Sequence, residues 1–144
     1  HIQLHMAPGS WAAKIGGRDP RRPNPADAAA RGIADGDIVR VVNDRGACLA
    51  GVRLSEDISP GVIQLSAGAW YQAADPGIED SLEVHGNPNV LTRDHGTSRL
   101  AQGPAALSTL VRVEPYRGPE LPEVTVTTTP PPFASGGSGT DRAP

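Results

Sequence analysis

The run Asn24-Pro-Ala-Asp-Ala-Ala-Ala-Arg-Gly-Ile-Ala-Asp-Gly-Asp-Ile-Val-Arg-Val-Val-Asn-Asp-Arg-Gly46 holds a helix, a turn, a strand and a second turn in immediate succession. Asn24 has the side chain of an N-cap, and Pro25 suits a first helical position, where a missing N–H is no loss. Asp27 complements the dipole in the first turn and Ala28 to Ala30 add propensity. Arg31-Gly32 then closes the helix with a cation and a C′ glycine. This spacing predicts a two-turn helix. After Ile33, Ala34-Asp-Gly-Asp37 turns the chain into Ile38-Val-Arg-Val-Val42, a strand with β-branched residues on both faces. Asn43-Asp-Arg-Gly46 has hairpin-turn chemistry, and Ala47 to Leu54 reads as the returning strand.

Downstream, Pro60-Gly61 forms another turn and Val62 to Leu65 a third strand. Ser66-Ala-Gly-Ala-Trp-Tyr71 mixes small residues with two rings, expected to cap a barrel or sheet end, with stacking on a ligand as the alternative. Residues 72–84 read as an acidic loop, and Ala106 to Val113 as a last strand ending at Glu114-Pro-Tyr116. Upstream, His1-Ile-Gln-Leu4 is extended in character, and Trp11 to Ile15 suits a short helical turn before Gly16-Gly17. Arg18, Arg21 and Arg22 form a basic cluster among prolines, expected as a solvated loop, with a phosphate contact as the sharper alternative. The Pro-, Thr-, Gly- and Ser-rich residues 118–144 cannot bury enough apolar surface to repay ordering and read as a disordered tail. Glycine corners, short strands and a capped helix, without any solenoid repeat, suit a mainly β chain. They predict a small closed or nearly closed β-barrel with short inserted helices.

The 144 residues make one domain by length, residues 1–117, ahead of the tail. Aromatics at 3%, with 17 glycines and 15 prolines, favour short strands over a helical bundle. The net charge of −3 argues against a general nucleic-acid surface while leaving a specific nucleotide site open. Cys48 stands alone, so it has no internal disulfide partner, and its apolar neighbours make it a small core residue. No apolar run is long enough to span a membrane. The chain opens on His1 without a basic-then-apolar leader, which reads as a fragment of a longer protein or a processed one.

The stretch from His85 to Gly103 shows neither the period of a strand nor that of a helix. It gathers Asn87, Asn89, Gln102, His85, His95 and several glycines into a polar loop. Side-chain amides offer donor and acceptor together, and glycines allow close backbone approach, which suits a flat heterocycle or a phosphate. The ordinary alternative is turn geometry. No nucleophile elbow or P-loop is present. The His1/His5 pair lacks the cysteines that would support a zinc site, and the Glu56-Asp57 and Glu79-Asp80 pairs read as solvated faces. The residues therefore point to binding, with no catalytic side chain and no metal ligand.

Three segments together resemble the C-terminal molydopterin dinucleotide-binding domain of the dimethyl sulfoxide reductase family of molybdenum oxidoreductases: Asn24 to Gly46, Pro60-Gly-Val-Ile-Gln-Leu-Ser-Ala-Gly-Ala-Trp70, and His85 to Gly103. The likeness runs over about residues 1–116 and is greatest to the branch of biotin sulfoxide, dimethyl sulfoxide and trimethylamine N-oxide reductases, biotin sulfoxide reductase first. It implies a double-psi β-barrel closing over bis-molybdopterin guanine dinucleotide. The cofactor would be held mainly by upstream domains of the same polypeptide, which also supply the molybdenum ligand. The family's Gly-Asn-Pro-Asn and Gln-Gly motifs match Gly86-Asn87-Pro88-Asn89 and Gln102-Gly103, preceded by His85, and its His-x-Gln matches His1-Ile2-Gln3. On this reading His1, Gln3, His85, Gly86, Asn87, Asn89, Gln102 and Gly103 contact the cofactor, whose metal carries the oxygen-atom transfer. The fragment alone is expected to be inactive and monomeric, with neither nucleic acid nor membrane as partner. The branch implies the cytoplasm, with the periplasm as alternative. A reading of a different class is a double-psi barrel serving as a protein-interaction or substrate-recruiting module.

Overall fold

Asn24 caps the first helix as its position demands. In the computed structural model, which describes residues 14–18, 20–93, 95–100, 102–103, 109–118 and 120–124, its side-chain oxygen accepts the Ala26 N–H at 2.9 Å. Pro25 then opens α1 (Pro25–Ala29). The helix is shorter than the two turns expected. Gly32, at φ +65°, lets the Ile33 N–H return to the Ala28 carbonyl while its own N–H reaches Ala29, the paired closure of a Schellman end. The capping end is tied down from outside as well: Asn24 Nδ2 donates to the Ile58 carbonyl at 2.7 Å, and Asp27 accepts the Gly61 N–H at 2.6 Å.

Five strands form one sheet: β1 (Pro20–Pro23), β2 (Ile38–Val42), β3 (Ala47–Val52), β4 (Ile63–Leu65) and β5 (Arg112–Pro115), in the order β4-β1-β3-β2-β5. β1 runs parallel to β3, and the other three pairings are antiparallel. The sheet curls as a half-barrel, and its two outer strands both line a cleft of about 290 Å³ beside α1. β3 is buried along its whole length, and its small residues let chain pass close on both faces. At Gly51 a Cβ would collide with Ile15, which belongs to a tight hairpin closed by Gly16 and Gly17 at φ +55° and +78°. Val39, Val41, Cys48, Val52, Ile63, Leu65 and Leu91 make the core with Ala28 and Ile33. No helix among the described residues is long and apolar enough to cross a membrane.

The arginine cluster departs most from expectation. Arg21 lies in β1, a central strand, with 0% of its surface exposed, and Arg18 is 2% exposed. Pro20 and Pro23 occupy the two ends of the strand, so neither proline interrupts the middle of the ladder. Alternation does the rest. Arg22 faces out to Ser55 and Asp57, at 2.8 and 3.3 Å, while Arg21 points inward and donates to the Gly86 carbonyl at 2.7 Å and the Cys48 sulfur at 3.2 Å. A cation flanked by prolines is ordinarily solvated, and the acceptors that reverse this expectation lie far along the chain.

Smaller differences have local causes. The strand returning from the hairpin ends at Val52, since Asp35 takes the Leu54 N–H at 2.7 Å. The last strand is Arg112–Pro115, displaced toward the C-terminus from the one expected, and residues 104–108 lie outside the described set. The expected extended start at His1–Leu4 and the Trp11–Ala13 part of the expected helical turn lie outside it too. Residues 120–124, within the stretch read as tail, make definite contacts. Gln72 Nε2 donates to the Glu123 carbonyl at 2.8 Å, Tyr116 Oη donates to Glu120, and Arg18 donates to Pro122.

Candidate functional site

The polar loop begins on an extension of the sheet. Glu83 bridges β3 through its backbone, donating to the Ala47 carbonyl at 3.0 Å and accepting the Leu49 N–H at 2.8 Å. On its other side it bridges Ala73, so this acidic residue sits between two chain segments and is fully buried. Its carboxylate accepts four main-chain N–H groups. Oε1 takes His85 at 2.9 Å and Gln72 at 3.3 Å, and Oε2 takes Gly86 and Asn87, both at 2.7 Å. From the opposite side the Arg21 guanidinium holds the Gly86 carbonyl. Gly86 can serve both because it adopts φ +103°, a conformation that side chains disfavour.

The loop then forms a short 3-10 helix, Pro88–Leu91, whose N-cap is Asn87: its side-chain oxygen accepts the Asn89 N–H at 2.9 Å. Asn87-Pro88 thus repeats the grammar of Asn24-Pro25. At the far end the Leu91 carbonyl accepts from Asn43 Nδ2 at 2.8 Å and Arg45 Nε at 2.9 Å, both from the β2–β3 turn. Gly46 permits the approach, since a Cβ there would stand 2.8 Å from the Val90 carbonyl oxygen. The loop is held at both ends and along its back.

Its front opens on a cavity of about 320 Å³ lined by Gly68, Trp70, Tyr71, Asn87, Pro88 and Asn89 among others. Asn89 is exposed, so both functional groups of its amide are presented. Asn87 is 8% exposed, and with its oxygen committed to the cap it has Nδ2 left to offer. Trp70 and Tyr71 are 66% and 56% exposed, so these rings do not cap the sheet end as expected and stand beside the cavity instead.

His85 is placed differently. It is fully buried with both ring nitrogens engaged: Nδ1 lies 3.0 Å from the Trp70 carbonyl and Nε2 lies 2.6 Å from Lys14 Nζ. A carbonyl only accepts, so Nδ1 carries the proton and Nε2 accepts from lysine. His85 fixes the backbone of Trp70 and does not line the cavity. Gln102 and Gly103 are exposed on a separate loop. There Gln102 Nε2 donates to Ser98 at 3.2 Å and the Gly103 carbonyl accepts the Thr97 N–H at 2.9 Å. His1 and Gln3 lie outside the described residues.

Cys48, beneath the loop, is fully buried. Burial pushes its thiol pKa up, an effect that nearby Arg21 only partly offsets. Burial likewise lowers the pKa of Arg18, with Tyr116 and Glu83 opposing. Among the described residues no group of three or more His, Cys, Asp or Glu is placed to hold a metal ion. The sequence marks the asparagines, leaves Glu83 unremarked and puts Arg21 in a solvated loop, whereas the structure buries it. The one available signal was an acid standing alone between Leu82 and Val84, immediately before the polar loop.

The family model and the sequence relatives agree on one family. The family model described as the molydopterin dinucleotide binding domain matches residues 6–110. The dimethyl sulfoxide/trimethylamine N-oxide reductase of Cereibacter sphaeroides is 50% identical over 130 residues, which cover 90% of this chain and 16% of that protein. The trimethylamine-N-oxide reductase of Salmonella typhi is 52% identical over 105 residues, 73% of this chain and 12% of that protein. Biotin sulfoxide reductase of Cereibacter sphaeroides is 46% identical over 118 residues, 82% of this chain and 16% of that protein. The chain therefore spans less than a fifth of the length of these relatives. Among solved structures, acetylene hydratase from Pelobacter acetylenicus superposes with a TM-score of 0.53 at 19% identity, over 67% of this chain and 14% of that one, a likeness of fold.

Proposed function

The chain belongs to the molydopterin dinucleotide binding domain family, and we propose that it closes one side of a molybdopterin guanine dinucleotide site in an S-oxide or N-oxide reductase. The observation that carries this reading is the loop His85–Leu91, held rigid behind and open in front. Its asparagine amides and the rings of Trp70 and Tyr71 meet at one cavity. The lining fits such a cofactor in kind. A pterin or guanine edge presents alternating donors and acceptors, which the Asn89 amide and Asn87 Nδ2 can pair, and its flat face suits an aromatic neighbour. The cavity's volume of about 320 Å³ suits one fused ring system and not a whole dinucleotide. The remaining walls come from the rest of a longer polypeptide.

When bound, the cofactor supplies oxygen-atom transfer at its molybdenum. The share of this chain is to bind, orient and shield. Asn89 pairs with the ring edge, Asn87 donates from within its cap, and Trp70 and Tyr71 keep water from the ring face. The isolated chain binds the cofactor weakly, having one wall of the site.

The test is Asn89→Ala in the full-length parent enzyme, with guanine nucleotide released on denaturation and bound molybdenum both measured. Asn89 is exposed, so the fold survives the change. Both quantities are expected to fall together. Full nucleotide and metal content in the variant would remove Asn89 from the site and this cavity from the cofactor.

A further inference from the structure

We infer that Glu83 is the positioning residue of this site: its buried carboxylate sets the backbone of His85-Gly86-Asn87 in the one arrangement that presents Asn87 and Asn89 to the cavity. The inference rests on the cofactor-contacting role proposed above for that loop. A solvated turn would need no such group. Four main-chain N–H donors converge on two oxygens that are entirely removed from water, and three of the four belong to consecutive residues of the loop. The fourth, from Gln72, ties in the segment that follows Trp70 and Tyr71, so one carboxylate registers both walls of the cavity against each other. Arg21 completes the setting. Glu83 takes the N–H of Gly86 and Arg21 takes its carbonyl, so the two peptide groups flanking that residue are oriented by opposite charges.

The chemistry distinguishes a carboxylate from every neutral substitute. Each oxygen of Glu83 accepts two N–H groups. In Glu83→Gln, either orientation of the amide turns an NH2 toward two donors and strands them, although shape and volume are kept. Leaving buried donors unpaired weakens the set conformation by roughly ten-fold or more. The effect falls on the loop, whereas the β2–β3 ladder has its own bonds.

The experiment uses the full-length parent enzyme with Glu83→Gln, Glu83→Asp and Asn89→Ala, and reads hydrogen exchange by peptide together with cofactor content. In Glu83→Gln the peptide over residues 84–91 is expected to exchange about ten-fold or more faster while that over residues 38–50 keeps its protection, and cofactor content falls with it. Unchanged exchange over 84–91 overturns the positioning role. Loosened exchange with full cofactor in Glu83→Gln, while Asn89→Ala loses it, overturns the link to binding and leaves the site itself standing. Full cofactor in both variants overturns the site and the inference together. If Glu83→Gln unfolds the whole domain, the reading passes to Glu83→Asp, which keeps charge and both oxygens but retracts them by one methylene. Loosening of 84–91 ahead of 38–50 is then expected, and equal loosening overturns the inference.

Discussion

Asn43 holds Leu91: across 48 positions of sequence its side-chain amide donates to the Leu91 carbonyl at 2.8 Å, while its side-chain oxygen accepts the N–H of Arg45 at 3.0 Å and of Gly46 at 3.3 Å. One side chain thus shapes the β2–β3 turn and anchors the far end of the polar loop. Asn43→Ala is expected to lower stability by about 1–3 kcal/mol, since both duties fail together. Asn43→Asp separates them: the oxygen stays for the turn and the donor is lost. Chemical denaturation should show a loss for Asp as well, because a carboxylate oxygen then faces the Leu91 carbonyl, and an Asp variant as stable as wild type would mean that the Leu91 anchor carries nothing.

Gly46 is required for space. A methyl group there meets the backbone oxygen of Val90 at 2.8 Å, and a main-chain atom within a capped helix cannot swing aside as a side chain would. Gly46→Ala is expected to cost about 1–3 kcal/mol, in the range of overpacked sites. Gly32→Ala is the contrast, because nothing lies within 4 Å of its Cβ position and the strain comes from its φ of +65° alone. The melting curve of Gly46→Ala should be accompanied by loosened exchange in residues 88–91, and that of Gly32→Ala should not.

Glu114 introduces a modest acid sensitivity. It is the direct cross-strand partner of Arg40, which hydrogen bonds it at 2.8 Å and, as the largest cause, holds its pKa below the ordinary 4.5. The folded value lies under the unfolded one, so the contribution is fully present above about pH 4.5 and is lost as pH falls through the depressed folded value. Both side chains are more than a third exposed, which limits the effect to about 1 kcal/mol or less. Glu114→Gln should therefore be slightly less stable than wild type at pH 7, and the difference should shrink as pH falls below about 4.5. A difference that grows on acidification would contradict the pairing.

The Cys48 thiol should be silent in the native protein. It is fully buried, its pKa is raised by that burial, and Arg21 approaches its sulfur at 3.2 Å. Mixing with a maleimide at pH 8 is expected to label the chain only once denaturant is added. Rapid labelling without denaturant would mean that the β3 face opens readily.

Local chemistry made part of this molecule legible. Asn24, Pro25 and Gly32 begin and end α1 through bonds to residues within a few positions, and the Asn43–Gly46 turn works the same way. What sequence could not display was any group whose partner is remote. Arg21 reads as a surface cation until Gly86 is brought against it, and Glu83 reads as one more acid in an acidic loop until three successive N–H groups turn toward it. Asn87 shows the intermediate case. Its neighbour Pro88 signals a cap as clearly as Pro25 does for Asn24, while the polar setting suggests ligand binding, and in the structure its oxygen serves the cap while the residue also lines the cavity.

The strand order also governs when the chain can fold. β2 gains its outer neighbour from residues 112–115, and β1 is enclosed only after both β3 and β4 exist. During synthesis the Val39–Val42 edge therefore waits without its outer partner until nearly all of the described chain has been made. Sheets assembled from such distant pairings form slowly, and a waiting edge recruits whatever strand it meets. A chain cut short before Arg112 is therefore expected to leave the outer edge of β2 without its partner strand.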